Sequence, residues 1–138
     1  MSLYLTIFDR SEQEVEGVEV GSYADFGDFR DAIAKYVEDN QWGSKCPTLM
    51  LHSDCDGVWT SDEAVLLQGE LEVIGACFRA LPPIAWDADW RTSAAEQAGV
   101  SIDSMYACFV DVDGQPLVDR LIELAQISQQ SQLPILFQ

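Results

Sequence analysis

Hydrophobic and polar residues alternate at the start of the chain in the manner of β-strands. Residues 3–8 alternate weakly and are rich in β-formers, and residues 14–20 alternate acidic residues with valine around Gly17. A side-chain period of two is typical of a strand with one exposed face. These two segments therefore predict an N-terminal β-hairpin.

A helical pattern follows the hairpin. Ser22 is a candidate N-cap, with Asp25 three residues later, and apolar residues recur beyond it at helical spacing. These apolar residues are Phe26, Phe29, Ile33, Tyr36 and Val37. We expect a helix here, followed by a loop over residues 40–47.

The centre of the chain predicts a strand, a turn and a long helix. Residues 48–52 form a short apolar run that predicts a strand, and residues 53–60 are expected to turn. Thr60 and Glu63 have the spacing of a capping box. The helix that they open is expected to continue to about residue 81, where two prolines follow.

The C-terminal part predicts two further helices and a last strand. A Trp-rich segment at residues 86–90 leads into a short helix that ends at Gly99, and residues 105–110 fit either a strand or a helix. A helix is expected from Pro116 to about Ser128, and residues 134–137 are expected to close the sheet. The order of elements predicts an α+β fold. We expect one domain over residues 1–138, with a small mixed or antiparallel sheet and helices packed against it.

Acidic residues dominate the charge of the chain. It has 24 Asp and Glu against 7 Lys and Arg, a net charge of −17, although 48% of its residues are hydrophobic. Such a field repels nucleic acid and anionic lipid, so neither is expected as a partner. No apolar run approaches the ~20 residues that span a bilayer, and a signal peptide is not evident, so we expect a cytoplasmic protein. The acidity favours a strongly positive partner, and the alternative is that it only maintains solubility.

Two Asp-x-Asp-Gly turns, at residues 54–57 and 111–114, are the sharpest local motif. If the glycine of the first turn took position 6 of a calcium loop, the ligands would be Asp54, Asp56 and Glu63. His52 would then stand at position 1, where it is a poor calcium ligand, and the second copy has Arg120 at position 12. The alternative is ordinary turn chemistry, in which Asp bonds the local backbone and Gly accepts a positive φ. A small metal-binding or metal-dependent protein therefore remains the alternative function.

Enzyme chemistry is hard to assemble from this sequence. His52 is the only histidine, which excludes a two-histidine metal site, and no phosphate-binding, nucleotide-binding or nucleophile motif is present. Seven basic residues also provide few groups to stabilise a developing anion. We therefore expect a non-enzymatic protein with no catalytic residues and no cofactor.

Tryptophan and acidic residues together indicate candidate contact positions for a protein partner. Trp is enriched at interface hot spots, and the four tryptophans, at positions 42, 59, 86 and 90, lie in or beside predicted loops. The alternative is that they cover the edges of the core. One candidate group comes from the acidic segment 9–31, namely Glu14, Glu16, Glu19, Asp25 and Asp28. The other combines an acidic glycine turn with a Trp that we expect to be exposed, namely Asp54, Asp56 and Trp59.

Several segments of the chain resemble one known family. They are residues 4–9 (YLTIFD), 18–26 (VEVGSYADF), 51–57 (LHSDCDG), 80–83 (ALPP), 109–114 (FVDVDG) and 133–138 (LPILFQ). Over nearly its whole length the chain is similar to the immunity protein 70 family of bacterial polymorphic toxin systems. The resemblance implies a protein that binds and neutralises a cognate toxin, and it implies no catalytic residues. Because the chain is acidic, we expect a basic toxin, and a monomer or weak homodimer of this protein.

Overall fold

The structure, a computed structural model, describes residues 2–84 and 90–138. Its elements in chain order are β1 (Ser2–Phe8), β2 (Glu14–Ser22), α1 (Tyr23–Tyr36), α2 (Pro47–Met50), β3 (Val58–Trp59), α3 (Ser61–Arg79), α4 (Trp90–Gln97), a 3₁₀ helix (Met105–Cys108), α5 (Leu117–Ser131) and β4 (Ile135–Phe137). The strands form one antiparallel sheet in the order β2-β1-β4-β3. The α+β prediction is confirmed.

The predicted N-terminal hairpin is confirmed. β1 and β2 pair antiparallel, with Leu5 opposite Val18. Leu3, Leu5 and Ile7 are fully buried on β1, because alternate residues of a strand point to the same face. This face of the sheet lies in the same core as apolar residues of α1, α3 and α5.

Both predicted capping boxes are present. The Ser22 hydroxyl accepts a hydrogen bond from the Asp25 amide at 3.1 Å, and the Thr60 hydroxyl accepts one from the Glu63 amide at 3.1 Å. In each case the carboxylate accepts a bond in return from the backbone amide of the cap residue. These bonds satisfy amides that a helix leaves unpaired, so α1 and α3 begin where the sequence predicts.

The strand predicted at residues 48–52 is wrong. Pro47 begins the one-turn helix α2, and proline is well suited to a first helical position. The carboxylate of Glu70 on α3 accepts hydrogen bonds from the amides of Thr48 and Leu49 at 3.1 and 3.0 Å. A distant side chain thus caps the start of α2, and apolar Leu49 and Met50 are buried by this packing.

The C-terminal half follows the predicted order closely. α5 packs along α3, and β4 enters the sheet between β1 and β3. Residues 105–108, for which the sequence left strand and helix open, form the 3₁₀ helix. Of the predicted Trp-rich segment, residues 86–89 lie outside the described residues, and Trp90 begins α4.

The two edge strands, β2 and β3, are bonded by residues from outside the sheet. On β2 the carbonyl of Gly17 accepts a bond from the Arg120 guanidinium at 3.2 Å, and the carbonyl of Glu19 accepts one from the Val112 amide at 3.0 Å. On β3 the His52 ring nitrogen Nε2 lies 2.9 Å from the carbonyl oxygen of Val58. Two main-chain acceptors on the β2 edge and one on the β3 edge are therefore occupied.

Candidate partner-binding surface

The segment between α2 and β3, together with the first residue of β3, forms an exposed loop over residues 51–58 that includes the first Asp-x-Asp-Gly turn. Asp54 and Asp56 are exposed. Large apolar side chains flank them, because Leu51 is 65% exposed and Val58 is 40% exposed. The loop therefore presents carboxylates and hydrocarbon side by side.

His52 fixes both ends of this loop. Its Nδ1 lies 2.7 Å from the carbonyl oxygen of Ser53, and its Nε2 lies 2.9 Å from that of Val58. The ring stacks on Phe137 with a centroid separation of 4.2 Å and an interplanar angle of 18°. The sole histidine is thus a structural residue that joins the loop to β4.

Arg30 of α1 supports the loop from below. Its Nη2 donates to the carbonyls of Leu49 and His52 at 2.7 and 2.9 Å, and its guanidinium lies 4.4 Å from the centroid of the Phe26 ring. Burial lowers the pKa of Arg30, and the negative charge of Asp54 partly opposes this effect. The Arg30 guanidinium therefore donates hydrogen bonds to two main-chain carbonyls beneath the loop.

Trp59 is fully buried, so the expectation that it is exposed is wrong. Its indole Nε1 donates to the carbonyl of Thr48 at 3.0 Å, and its ring meets Phe137 edge-on at 4.6 Å. The two residues of β3 point to opposite faces, so Val58 takes the outer position and Trp59 the inner one. Trp59 therefore positions the loop and does not reach its surface.

Trp42 is the tryptophan that stands beside this loop on the surface. It is 46% exposed, and its Nε1 donates to the carbonyl of Met50 at 2.9 Å. The next residue, Gly43, approaches Leu51 so closely that an added Cβ would lie 2.5 Å from Cδ2 of Leu51. Trp42 and Leu51 are therefore neighbours at the C-terminal end of α2.

A buried carboxylate supports the segment that carries Trp42. Glu38 is only 1% exposed, and it accepts hydrogen bonds from the backbone amides of Gly43, Lys45 and Cys46 at 2.9 to 3.0 Å. Three charge-assisted bonds of this kind hold a loop firmly. Trp42 is thus presented from an ordered backbone.

The other candidate group, on β2 and α1, is largely engaged inside the molecule. Tyr4 donates to Glu14 at 2.7 Å, Arg120 lies 3.5 Å from Glu16, and Arg91 lies 3.1 Å from Asp28. Asp25 caps α1, accepts a bond from the indole of Trp90 at 3.2 Å and lies 3.8 Å from Arg91. Glu19 is exposed on β2.

The structure does not bring the two candidate groups together. β2 and β3 are opposite edges of the sheet, with β1 and β4 between them. Three strand spacings place these edges roughly 14 Å apart. The β2 carboxylates and the 51–58 loop are thus separate surfaces.

Carboxylates without a salt-bridge partner among the described residues occur near the 51–58 loop. Residues 46–78 contain no Lys or Arg and six acidic residues, namely Asp54, Asp56, Asp62, Glu63, Glu70 and Glu72. Within the described ranges, none of these six forms a salt bridge. Residues 11–29, which include the β2 group, also contain six acidic residues and no Lys or Arg, so the sequence alone does not separate the two groups. The fold separates them, because it pairs Glu16, Asp25 and Asp28 with Arg120 or Arg91.

The geometry favours turns over metal sites at both Asp-x-Asp-Gly motifs. Gly57 and Gly114 have φ of 83° and 82°, as the turn interpretation predicts. Asp111 accepts bonds from the amides of Asp113 and Gln115, both at 3.0 Å, and from Arg120 at 3.2 Å. In residues 2–84 and 90–138 no three His, Cys, Asp or Glu side chains converge as metal ligands. The metal alternative with Asp54, Asp56 and Glu63 is therefore not favoured, and Glu63 is occupied in its capping box.

Comparison with protein families places the chain in one of them. The model of the family described as Immunity protein 70 matches residues 3–137 of this small α+β protein. The chain belongs to the immunity protein 70 family. No match was found among curated proteins or among solved structures. Among the helices that the structure describes, none has the length and apolar character needed to cross a membrane.

Proposed function

We propose that this protein protects a bacterial cell by binding and neutralising a cognate toxin of a polymorphic toxin system. Family membership supports an immunity role. The observation that carries the finer proposal is the surface around residues 46–78, where six carboxylates stand without a Lys or Arg in the same stretch. The proposed toxin is accordingly basic, and binding takes place in the cytoplasm.

Electrostatics gives such an inhibitor two advantages. Opposite charge steers association, with on-rates that reach ~10⁸–10⁹ M⁻¹s⁻¹ when steering is strong. Many toxins act on nucleic acid through basic clefts, and an acidic protein competes with a polyanion for such a cleft. Close interfacial charge pairs can then contribute ~1.5–7 kcal/mol of coupling each.

In this proposal protection comes from occupancy of the toxin. The protein is non-enzymatic and needs no cofactor, and inhibition is stoichiometric. A monomer or weak homodimer suits this role, because like charge on two copies of a −17 chain opposes their association at low salt.

The test is co-expression with the toxin domain encoded in the same gene cluster. We expect growth to be rescued, a 1:1 complex in sedimentation, and a dissociation constant that rises steeply between 50 mM and 500 mM salt. A catalytically inactivated toxin domain allows the affinity to be measured without killing the host. Failure of the wild-type protein to rescue growth or to bind at low salt would refute the proposal.

A further inference from the structure

We infer that the toxin contacts one particular surface, made of Trp42, Leu51 and Val58 with Asp54 and Asp56 among them. We call it the acidic loop surface. Its occupant is a basic protein domain that offers an apolar patch surrounded by Lys or Arg. This inference rests on the proposed function and goes further, because it names the contact residues and assigns them two different roles.

Exposed hydrocarbon is the first argument. Trp42, Leu51 and Val58 are 46%, 65% and 40% exposed, and the contacts of Trp42 with Met50 and of Gly43 with Leu51 bring the first two together. Leu51 and Val58 are the two ends of one loop, which His52 draws together. Contiguous exposed apolar side chains of this kind mark interaction sites, and Trp is prominent among hot-spot residues.

The surface extends onto α3. Leu66 is 61% exposed and lies one helical turn before Glu70, whose carboxylate caps α2. Residues four apart in a helix share a face. Leu66 therefore shares a face of α3 with the residue that caps α2, and it is a candidate for the border of the surface.

Rigidity is the second argument. Arg30, His52 and Trp59 hold the loop from beneath through hydrogen bonds to main-chain carbonyls, and Glu38 holds the segment of Trp42. A loop that is already ordered loses less conformational entropy on binding than a mobile one. The surface is thus pre-organised for a partner.

The negative charge of the acidic loop surface is the third argument, and it indicates which kind of partner binds there. Among the described residues, the exposed carboxylates of Asp54 and Asp56 form no salt bridge. Elsewhere the carboxylates of Glu16, Asp25 and Asp28 are met by Arg120 or Arg91. A second copy of this chain, a nucleic acid or an anionic membrane would place negative charge against negative charge. A cation-rimmed protein surface is the complementary partner.

The two kinds of residue are expected to act differently. Asp54 and Asp56 set the association rate and the salt dependence, whereas Leu51 contributes buried apolar area that salt does not screen. The test measures binding to the inactivated toxin domain by calorimetry over a salt series. The variants are Leu51→Ala and the double charge reversal Asp54→Lys with Asp56→Lys.

Leu51→Ala is expected to weaken binding ~tenfold or more with an unchanged salt slope. The double reversal is expected to weaken it ~a hundredfold or more and to flatten the slope. The matched controls are Val15→Ala, at another exposed apolar residue, and Glu14→Lys with Glu19→Lys, which changes the net charge equally on the opposite edge. Thermal melts establish that every variant is folded.

The outcomes separate the two proposals. If the wild-type protein does not bind, the proposed function fails. If it binds, and the Glu14 and Glu19 reversal abolishes binding while the loop variants bind normally, the acidic loop surface is refuted and the β2 group is the contact. Equal losses from both reversals with no effect of Leu51→Ala would also refute it, because binding would then depend on net charge alone.

Discussion

Replacing Arg30 by methionine is the sharpest test of how the 51–58 loop is supported. Methionine retains much of the apolar stem, but it removes the guanidinium that bonds the carbonyls of Leu49 and His52. Hydrogen bonds from a charged donor contribute ~1.5–3 kcal/mol each. The two bonds together are therefore worth about 3–6 kcal/mol.

Part of this stabilisation is offset in the wild-type protein. The Nε of Arg30 is buried and has no hydrogen-bond partner among the described residues, which costs ~1–3 kcal/mol. Burial also disfavours the charged guanidinium, as the lowered pKa of Arg30 indicates. We expect Arg30→Met to reduce the free energy of unfolding by about 2–4 kcal/mol.

Urea denaturation measures this change at constant pH. Arg79→Met is the matched control, since it removes the same charge from an exposed side chain that lies over Tyr106 and pairs with Asp119. An exposed pair of this kind is worth ~1 kcal/mol or less. The support described for the loop would be refuted if Arg30→Met cost no more than Arg79→Met, or if amide exchange in residues 51–57 stayed unchanged.

Four further results are expected from residues around the same surface. At pH 8 a thiol reagent should label exposed Cys55 and spare buried Cys46, because burial and the charges of Glu70 and Glu38 raise the pKa of Cys46 to about 12. Peptide mass spectrometry measures the labelling at each cysteine, and equal labelling of the two would contradict this prediction. Because folding raises the pKa of Cys46, its neutral thiol contributes to the free energy of unfolding below the pKa of the unfolded chain, ~8.5. This contribution is lost as the pH rises towards about 12, so the urea midpoint should fall between these two pH values. Thr60→Ala should cost ~1 kcal/mol through the lost cap of α3, and a urea midpoint equal to that of the wild type would refute the capping role. Glu38→Gln should make Trp42 fluorescence more easily quenched. Glutamine has one acceptor oxygen and a donor NH2 in place of the second, so it cannot accept all three amide bonds, which the two carboxylate oxygens share. Unchanged quenching would show that these bonds do not order the segment.

Local signals account for the part of the fold that sequence reasoning predicted correctly. The hairpin follows from alternation within nine residues, and both capping boxes follow from a spacing of three. In each case the residues that decide the structure are neighbours in the chain. Such patterns are readable without knowledge of the tertiary fold.

Distant contacts account for what the sequence did not reveal. Residues 48–52 resemble a strand in composition, and their helix depends on Glu70, some twenty residues away. Trp59 resembles a loop residue, but the pairing of β3 with β4 turns it inward, opposite Ile135. Cationic partners for Asp28 and Glu16 come from Arg91 and Arg120, which only the fold brings near.

The occupied edges of the sheet have a consequence for how this protein behaves when it is crowded. An open edge strand recruits strands from other molecules, and at high ionic strength charge repulsion no longer prevents this. Here Arg120 and the Val112 amide occupy carbonyls on β2, and the His52 ring faces the one on β3. At these positions a strand from another molecule would have to displace an existing bond before it could pair with the edge. This barrier is a property of bond geometry, so it remains where salt screens the charge.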